Sequence, residues 1–156
     1  MAYNEYAQNI IATVNTPSYC EMHVISSATT SISGAGTYYK VAGTTAIDAT
    51  SGDFTMPVNN RITFGTAGTY LVITSLTANT TSGNVLAAFG LSLNTIVENS
   101  SIQNTTIGTA SSSQAVSTSN FFTVIAGDYL EVILANNTNT QNITVSRMNL
   151  TILKVA

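Results

Sequence analysis

The feature that most limits how this chain can fold is a series of short apolar runs separated by turn-forming residues. The runs are rich in Val, Ile, Leu, Thr, Tyr and Phe, which favour pleated strands, whereas Gly, Asn, Asp and Ser between them favour tight turns. Only 7% of the residues are charged, against roughly 25% in typical soluble domains, so the common helix formers Glu, Lys and Arg are scarce. The pattern predicts a single all-β domain, built as an antiparallel sandwich of two sheets or a jelly roll.

The strongest strand predictions fall in the second half of the chain. Residues 69–78 are apolar on both faces through Leu71, Val72, Ile73 and Leu76, and such a strand is covered on both faces, by a second sheet or by another subunit. The strand signal is weaker in two other stretches. Residues 43–59 predict a loop with a short strand, and residues 99–114 predict an exposed loop with a weak strand. The predicted strands lie at 18–26, 37–43, 61–64, 69–78, 84–94, 115–125, 128–136 and 142–156.

Charge and hydropathy exclude several classes of partner. The net charge is -3, and the four basic residues are too few to neutralise several phosphates, so a nucleic-acid partner is not expected. No run approaches the roughly 18 apolar residues of a membrane-spanning helix, so a membrane partner is not expected either. Acidic Glu5 lies where a signal peptide would carry positive charge, so we expect synthesis in a cytoplasm without secretion. The basic residues are Lys40, Arg61, Arg147 and Lys154.

The residues that could carry chemistry are few. His23 is the only histidine and lies three residues from the only cysteine, Cys20; on a strand, positions three apart point to opposite faces, which disfavours a shared metal. Asp48 and Asp53 flank one loop, which leaves open a Ca²⁺ site completed by backbone oxygens. We therefore expect no enzyme activity and no cofactor, and a structural or binding role instead.

Four different motifs follow one another in a characteristic order along the chain. Gly68-Thr69-Tyr70 opens an apolar strand, Gly90 to Thr95 (GLSLNT) follows, Gly127-Asp128 precedes YLEVIL, and MNLTILKV lies near the C-terminus. Over about residues 36–155 the chain thereby resembles the complement-type, tumour-necrosis-factor-like jelly rolls. It departs from them at Thr95, where the family often has Gly, and no collagen-like repeat precedes the domain. The Thr/Ser/Asn-rich texture is similar to domains of this fold in phage virions and on bacterial spore coats.

The resemblance implies a threefold homotrimer with aromatic and aliphatic side chains along its axis. By position in the motifs, it suggests a set of interface residues on the central strand, on the strand before Gly127 and on the last strand. The alternative is that the same side chains fill the core of one subunit, and the sequence leaves both open. The suggested interface residues are Tyr70, Phe122, Val124, Leu150 and Ile152.

The resulting functional hypothesis is a viral structural protein: a trimeric decoration or cement protein of a phage virion, which binds the major capsid protein and stabilises the head. Residues 1–26 would be an N-terminal arm and first strand that dock on the capsid, and 27–156 the jelly-roll domain. The alternative is the tip of a phage fibre that recognises host surface glycans through the loops at 78–84, 99–114 and 136–141. A third reading is a spore-coat or cytokine-like surface module. The expected docking residues are Tyr3, Tyr6, Ile10, Ile11 and Val14.

Overall fold

A computed structural model describes residues 17–81, 83–108 and 112–156 of the chain, and within them almost all regular structure is β-strand. A single 3₁₀ turn spans Asn99–Ser101. None of the described helical structure is long and apolar enough to cross a membrane. The strands are β1 (Tyr19–Val24), β2 (Ala28–Thr30), β3 (Tyr39–Lys40), β4 (Thr45–Thr50), β5 (Phe54–Val58), β6 (Arg61–Phe64), β7 (Gly68–Thr80), β8 (Val85–Leu93), β9 (Ile96–Val97), β10 (Gln103–Ile107), β11 (Gln114–Val124), β12 (Tyr129–Asn136) and β13 (Ile143–Lys154).

The strands form two antiparallel sheets in which most neighbouring strands are distant in sequence. Sheet A has the order β11-β7-β13-β1-β4, with β2 beside β13; sheet B has the order β10-β8-β12-β6-β5, with β3 beside β12 and β9 beside β8. Long connections that cross between two sheets in this way define a jelly roll. The predicted fold class, an all-β jelly-roll sandwich of two sheets, is therefore confirmed.

Alternation along the long strands builds the core between the sheets. In β7, Tyr70, Val72, Thr74 and Leu76 are buried while the residue between each pair is exposed or half-buried, as the period of two along a strand requires. The inward residues of β12 and β13 are likewise buried. The apolar runs therefore become strands because one face of each is covered by the opposite sheet.

An aromatic cluster fills one end of this core. The ring of Phe64 lies 4.8 Å from that of Tyr70 and 5.8 Å from that of Phe54, measured between centroids. The Tyr70 hydroxyl donates a hydrogen bond to the Thr66 carbonyl at 3.0 Å, so its buried polar end has a partner.

The first described strand is an integral part of sheet A. β1 pairs with β13 on one side and with β4 on the other. This pairing joins the first strand of the expected segment 1–26 to strands of the expected jelly-roll domain 27–156. Residues 1–16, with the expected docking side chains of Tyr3, Tyr6, Ile10, Ile11 and Val14, lie outside the described residues.

Candidate functional site: the outward face of sheet A

Sheet A has an inward face that lies against sheet B and an outward face that no other element covers within residues 17–81, 83–108 and 112–156. Two adjacent phenylalanines on β11 show the difference: Phe122 is 4% exposed, whereas Phe121 is 61% exposed. Side chains of neighbouring strand residues point to opposite faces. The outward face therefore carries an aromatic ring that the protomer does not bury.

The five residues expected at a subunit interface all point inward. Tyr70, Phe122, Val124, Leu150 and Ile152 are between 0% and 4% exposed and belong to the core between the two sheets. Of the two alternatives that the sequence leaves open, the structure shows the intrasubunit core for each of them.

An apolar row crosses the outward face at neighbouring positions. Phe121 lies opposite Leu71, Leu71 opposite Leu153, and Leu153 opposite Tyr19, so that the row spans four strands. Directly opposed residues on antiparallel strands have Cβ atoms roughly 5 Å apart, close enough to form one surface. We call these four residues the apolar row. Tyr19 and Leu153 are 42% and 38% exposed, and Leu71 is half-buried.

Polarity increases along the same face away from the apolar row. The next row has Ile73, which is exposed, between Ser119 and Thr151. The row after that consists of polar residues only: Ser117, Ser75, Asn149 and His23. The face is therefore apolar at one end and polar at the other.

The polar end contains a hollow of about 380 Å³. This volume falls in the range of small-ligand sites, roughly 300–1,000 Å³. The outward-facing residues that line it are Ser75, Thr77, Ala115, Ser117, Arg147 and Asn149.

The acids that the sequence suggested for Ca²⁺ are tied to separate partners. Asp48 lies 2.6 Å from Nδ1 of His23, whereas Asp53 accepts a hydrogen bond from the hydroxyl of Ser18. Within the described residues, no group of three or more His, Cys, Asp or Glu side chains lies close enough together to hold a metal. The two aspartates therefore do not share a site.

Cys20 lies on the opposite face of β1 from His23, as the spacing predicts. Its side chain is in the core and is 1% exposed, whereas His23 is half-buried on the outward face. Burial, with a smaller contribution from the nearby Glu21 carboxylate, raises the pKa of the Cys20 thiol to about 11. The thiol is therefore protonated at neutral pH and is not a nucleophile there.

Parts of the three loops considered for glycan recognition meet at one end of the domain. The Thr80 hydroxyl lies 3.4 Å from the carbonyl oxygens of Gly83 and Gly108, and the Gln141 amide donates to the Thr81 hydroxyl at 3.3 Å. The third loop is shaped by Asn136, which is buried and whose amide bonds to Asn139 and Gln141. Sequence reasoning had no means of placing these loops side by side.

The β8–β9 hairpin turns through two residues with left-handed backbone, Asn94 (φ 50°) and Thr95 (φ 69°), as in a type I′ turn. Asn94 suits this conformation, and its side chain bonds both Asp128 and the backbone N–H of Tyr129. Thr95 is β-branched and does not suit it. The departure noted in the sequence, Thr95 in place of Gly, is therefore a point of backbone strain.

Solved structures share this architecture. The chain matches murine APRIL, crystallised at pH 5.0, with a TM-score of 0.58 and 9% identity over 89% of this chain and 99% of that one. It matches Eiger TNF from S. frugiperda with a TM-score of 0.58 and 13% identity over 90% and 94% of the two chains. It matches the globular domain of zebrafish complement 1qA with a TM-score of 0.55 and 11% identity over 90% and 98%.

These likenesses define the class of the fold. No family model and no curated protein matches the sequence itself. At such low identities the matches show the fold alone. The chain is an all-β domain with the jelly-roll fold of tumour-necrosis-factor and complement 1q proteins.

Proposed function

We propose that this protein is a structural module that associates with further copies of itself through the outward face of sheet A and closes as a homotrimer. The observation that carries the proposal is the apolar row. A contiguous exposed apolar surface is typical of an association site. The similarity to trimeric jelly rolls stated for the sequence supports three copies rather than two.

The position of the row supports association through side chains rather than through a sheet edge. The row crosses β11, β7, β13 and β1, so most of it lies on strands whose backbone groups are already paired on both sides. An added strand would find free backbone groups only at an edge. A second copy would instead cover Phe121 and its neighbours face-on.

Replacing two members of the apolar row tests this proposal. We expect the double variant Phe121→Ser/Leu153→Ser to sediment at the mass of one chain while keeping the far-ultraviolet spectrum of a folded β domain. The matched control is Leu86→Ser, which removes an apolar side chain from β8 in sheet B. Leu86 is 44% exposed. An oligomer that survives in the double variant, or that Leu86→Ser dissociates equally, would contradict the proposed surface.

As a finer proposal, the trimer is a decoration protein of a phage head that binds the major capsid protein and resides in the virion. The charge-poor, Thr/Ser/Asn-rich composition supports it, together with the similarity to virion domains. The proposal keeps residues 1–16 as the docking segment. Deletion of residues 1–15 should abolish binding to capsids and leave the number of chains in the oligomer unchanged, and unaltered decoration would refute the docking role.

A second candidate function is glycan recognition at the tip of a phage fibre. The observation that favours it is the convergence of residues from the three loops, shown by the bonds of Thr80 and Gln141. Specific signals for the purified oligomer on a glycan array would support this candidate, and the absence of any signal would favour the decoration role.

A further inference from the structure

We infer that the hollow at the polar end of sheet A is a binding site for a carboxylate-bearing sugar, with Arg147 as the residue that holds the carboxylate. The inference rests on the second candidate function only for its class of ligand, since it uses the sheet face rather than the loops.

A β-bulge directs Arg147 to this face. The pairing of β13 with β7 shifts register between Val145 and Arg147. Val145 and Met148 are both buried, so two consecutive residues lie between the inward positions instead of one. The bulged Ser146 donates its hydroxyl to the Thr77 carbonyl at 3.2 Å, which holds the bulge in place. Bulges commonly re-aim a side chain at a functional site.

Among the described residues, Arg147 has no partner that would compete with an external anion. The other cations have partners: Arg61 and Lys40 lie 2.8 Å and 3.8 Å from the buried Glu131 carboxylate, and the Lys154 ammonium lies 5.7 Å from the centre of the Tyr70 ring. Within residues 17–81, 83–108 and 112–156, the Arg147 guanidinium has no ion-pair or hydrogen-bond partner. A planar guanidinium matches a carboxylate through two parallel hydrogen bonds.

The rest of the lining suits a sugar. The side-chain hydroxyls of Ser75, Thr77 and Ser117 and the amide of Asn149 surround the hollow, and in the described part of the chain none of these groups bonds to another protein group. They offer donors and acceptors for sugar hydroxyls. Ala115 also lines the hollow, and its methyl group offers a small apolar contact on the same outward face.

The hollow is separate from the nearby acidic side chains and from the apolar row. Glu21 and Asp48 line a separate depression on the far side of Asn149, and Asp48 is bonded to His23. Along β7, the hollow begins four residues from Leu71 in the apolar row, or about 13 Å at roughly 3.3 Å per residue. Burying unpaired hydroxyls against a second copy is unfavourable, so the polar end is the part of the face best suited to stay open.

The test compares D-glucuronate with D-glucose, which carries a neutral hydroxymethyl group where glucuronate has its carboxylate, by NMR titration of the full-length oligomer. We expect glucuronate to shift the Arg147 Nε–H signal and the amides of Ser75 and Asn149 in a saturable way, with glucose binding at least tenfold more weakly. Arg147→Gln should weaken glucuronate binding about tenfold, whereas the control Lys40→Gln removes a cation from sheet B and should leave binding unchanged.

Three outcomes would overturn the inference. Equal shifts with the two sugars would show that no carboxylate is recognised. Unchanged glucuronate binding in Arg147→Gln would place the ligand elsewhere. A fall in oligomer mass in Arg147→Gln would show that Arg147 pairs with another copy of the chain instead of a ligand. Because mass and sugar binding are separate measurements, failure of the sugar site leaves the proposed self-association intact, and the reverse also holds.

Discussion

Two adjacent phenylalanines allow core packing and self-association to be separated in one experiment. Phe121 is 61% exposed and Phe122 is 4% exposed, although they share a strand, a residue type and almost the same sequence context. Truncating Phe122 to Ala creates a cavity in the core and should cost about 3–5 kcal/mol of folding free energy. Truncating Phe121 to Ala should change the stability of an isolated protomer by less than about 0.5 kcal/mol, since surface changes away from special features do little.

The expected effect of Phe121→Ala is on association instead. A Phe side chain presents roughly 200 Å², so the 61% that is exposed leaves about 120 Å² for a partner to cover. At about 25 cal/mol per Å² this burial is worth at most about 3 kcal/mol per protomer. Loss of that contribution should weaken each contact by up to about a hundredfold.

The assay is urea denaturation over a series of protein concentrations. Because unfolding of an oligomer is linked to dissociation, the wild-type midpoint should rise with concentration. Phe121→Ala should flatten that dependence, whereas Phe122→Ala should lower the midpoint at every concentration, and Phe122→Leu should lower it less because more volume is kept. If Phe121→Ala lowered the midpoint as much as Phe122→Ala and left the concentration dependence unchanged, the assignment of the two faces would be refuted.

Three further predictions concern a turn, a close backbone contact and a buried thiol. Thr95→Gly should stabilise the fold by about 0.5–1 kcal/mol because glycine relieves the left-handed strain, whereas Asn94→Gly should destabilise it by removing the side-chain bonds to Asp128 and Tyr129; urea midpoints measure both. Gly65→Ala should destabilise by about 1–3 kcal/mol, because a Cβ there would lie 2.8 Å from the Asp53 carbonyl oxygen. The pKa of the Cys20 thiol is raised from 9.0 to about 11 in the folded state, because burial disfavours the thiolate. Its contribution to the free energy of unfolding is therefore fully present below pH 9.0 and should be lost as pH rises through 11. Cys20→Ala should show a smaller loss of stability over that pH range.

Each of these predictions has an outcome that would contradict it. A Thr95→Gly variant less stable than the wild type would show that the turn is not strained. An unchanged midpoint in Gly65→Ala would show that the β5–β6 hairpin yields without cost. Equal loss of stability between pH 9 and 11 in the wild type and Cys20→Ala would assign the alkaline transition to other groups, and rapid reaction of native Cys20 with a thiol reagent at pH 8 would contradict its burial.

The sequence predicts the long strands well because each of them has a strong apolar pattern. The runs at 61–64, 84–94 and 128–136 correspond closely to β6, β8 and β12. The small-residue stretches were harder, since Thr, Ser and Ala fit strands and loops alike. The stretch predicted to be a loop with a short strand, 43–59, contains both β4 and β5. β4 is held by pairing with the distant strand β1, which local sequence does not specify, whereas β5 pairs with the adjacent β6.

The five residues suggested for a subunit interface lie on strands of sheet A that the apolar row also crosses, but on the inward face. Phe122, Leu150 and Ile152 share a face, as the motif positions suggested, yet this face is the inward one. The period along a strand is two, so moving one residue along reverses the face, and the apolar row contains Phe121 and Leu153 instead. Because these strands carry apolar residues on both of their faces, only the position of the second sheet decides which face is the core. The bulge that directs Arg147 likewise depends on strand register, which the sequence does not display.

The measurement that tests the central claim most directly is the mass of the intact chain in solution, determined by sedimentation equilibrium at micromolar concentration. If sheet A associates as proposed, the mass should be three times the 16.3 kDa of one chain, and it should fall to that of one chain when Phe121 and Leu153 are replaced by Ser. A wild-type mass of 16.3 kDa throughout the micromolar range would contradict the claim, because no second copy would then cover the apolar row.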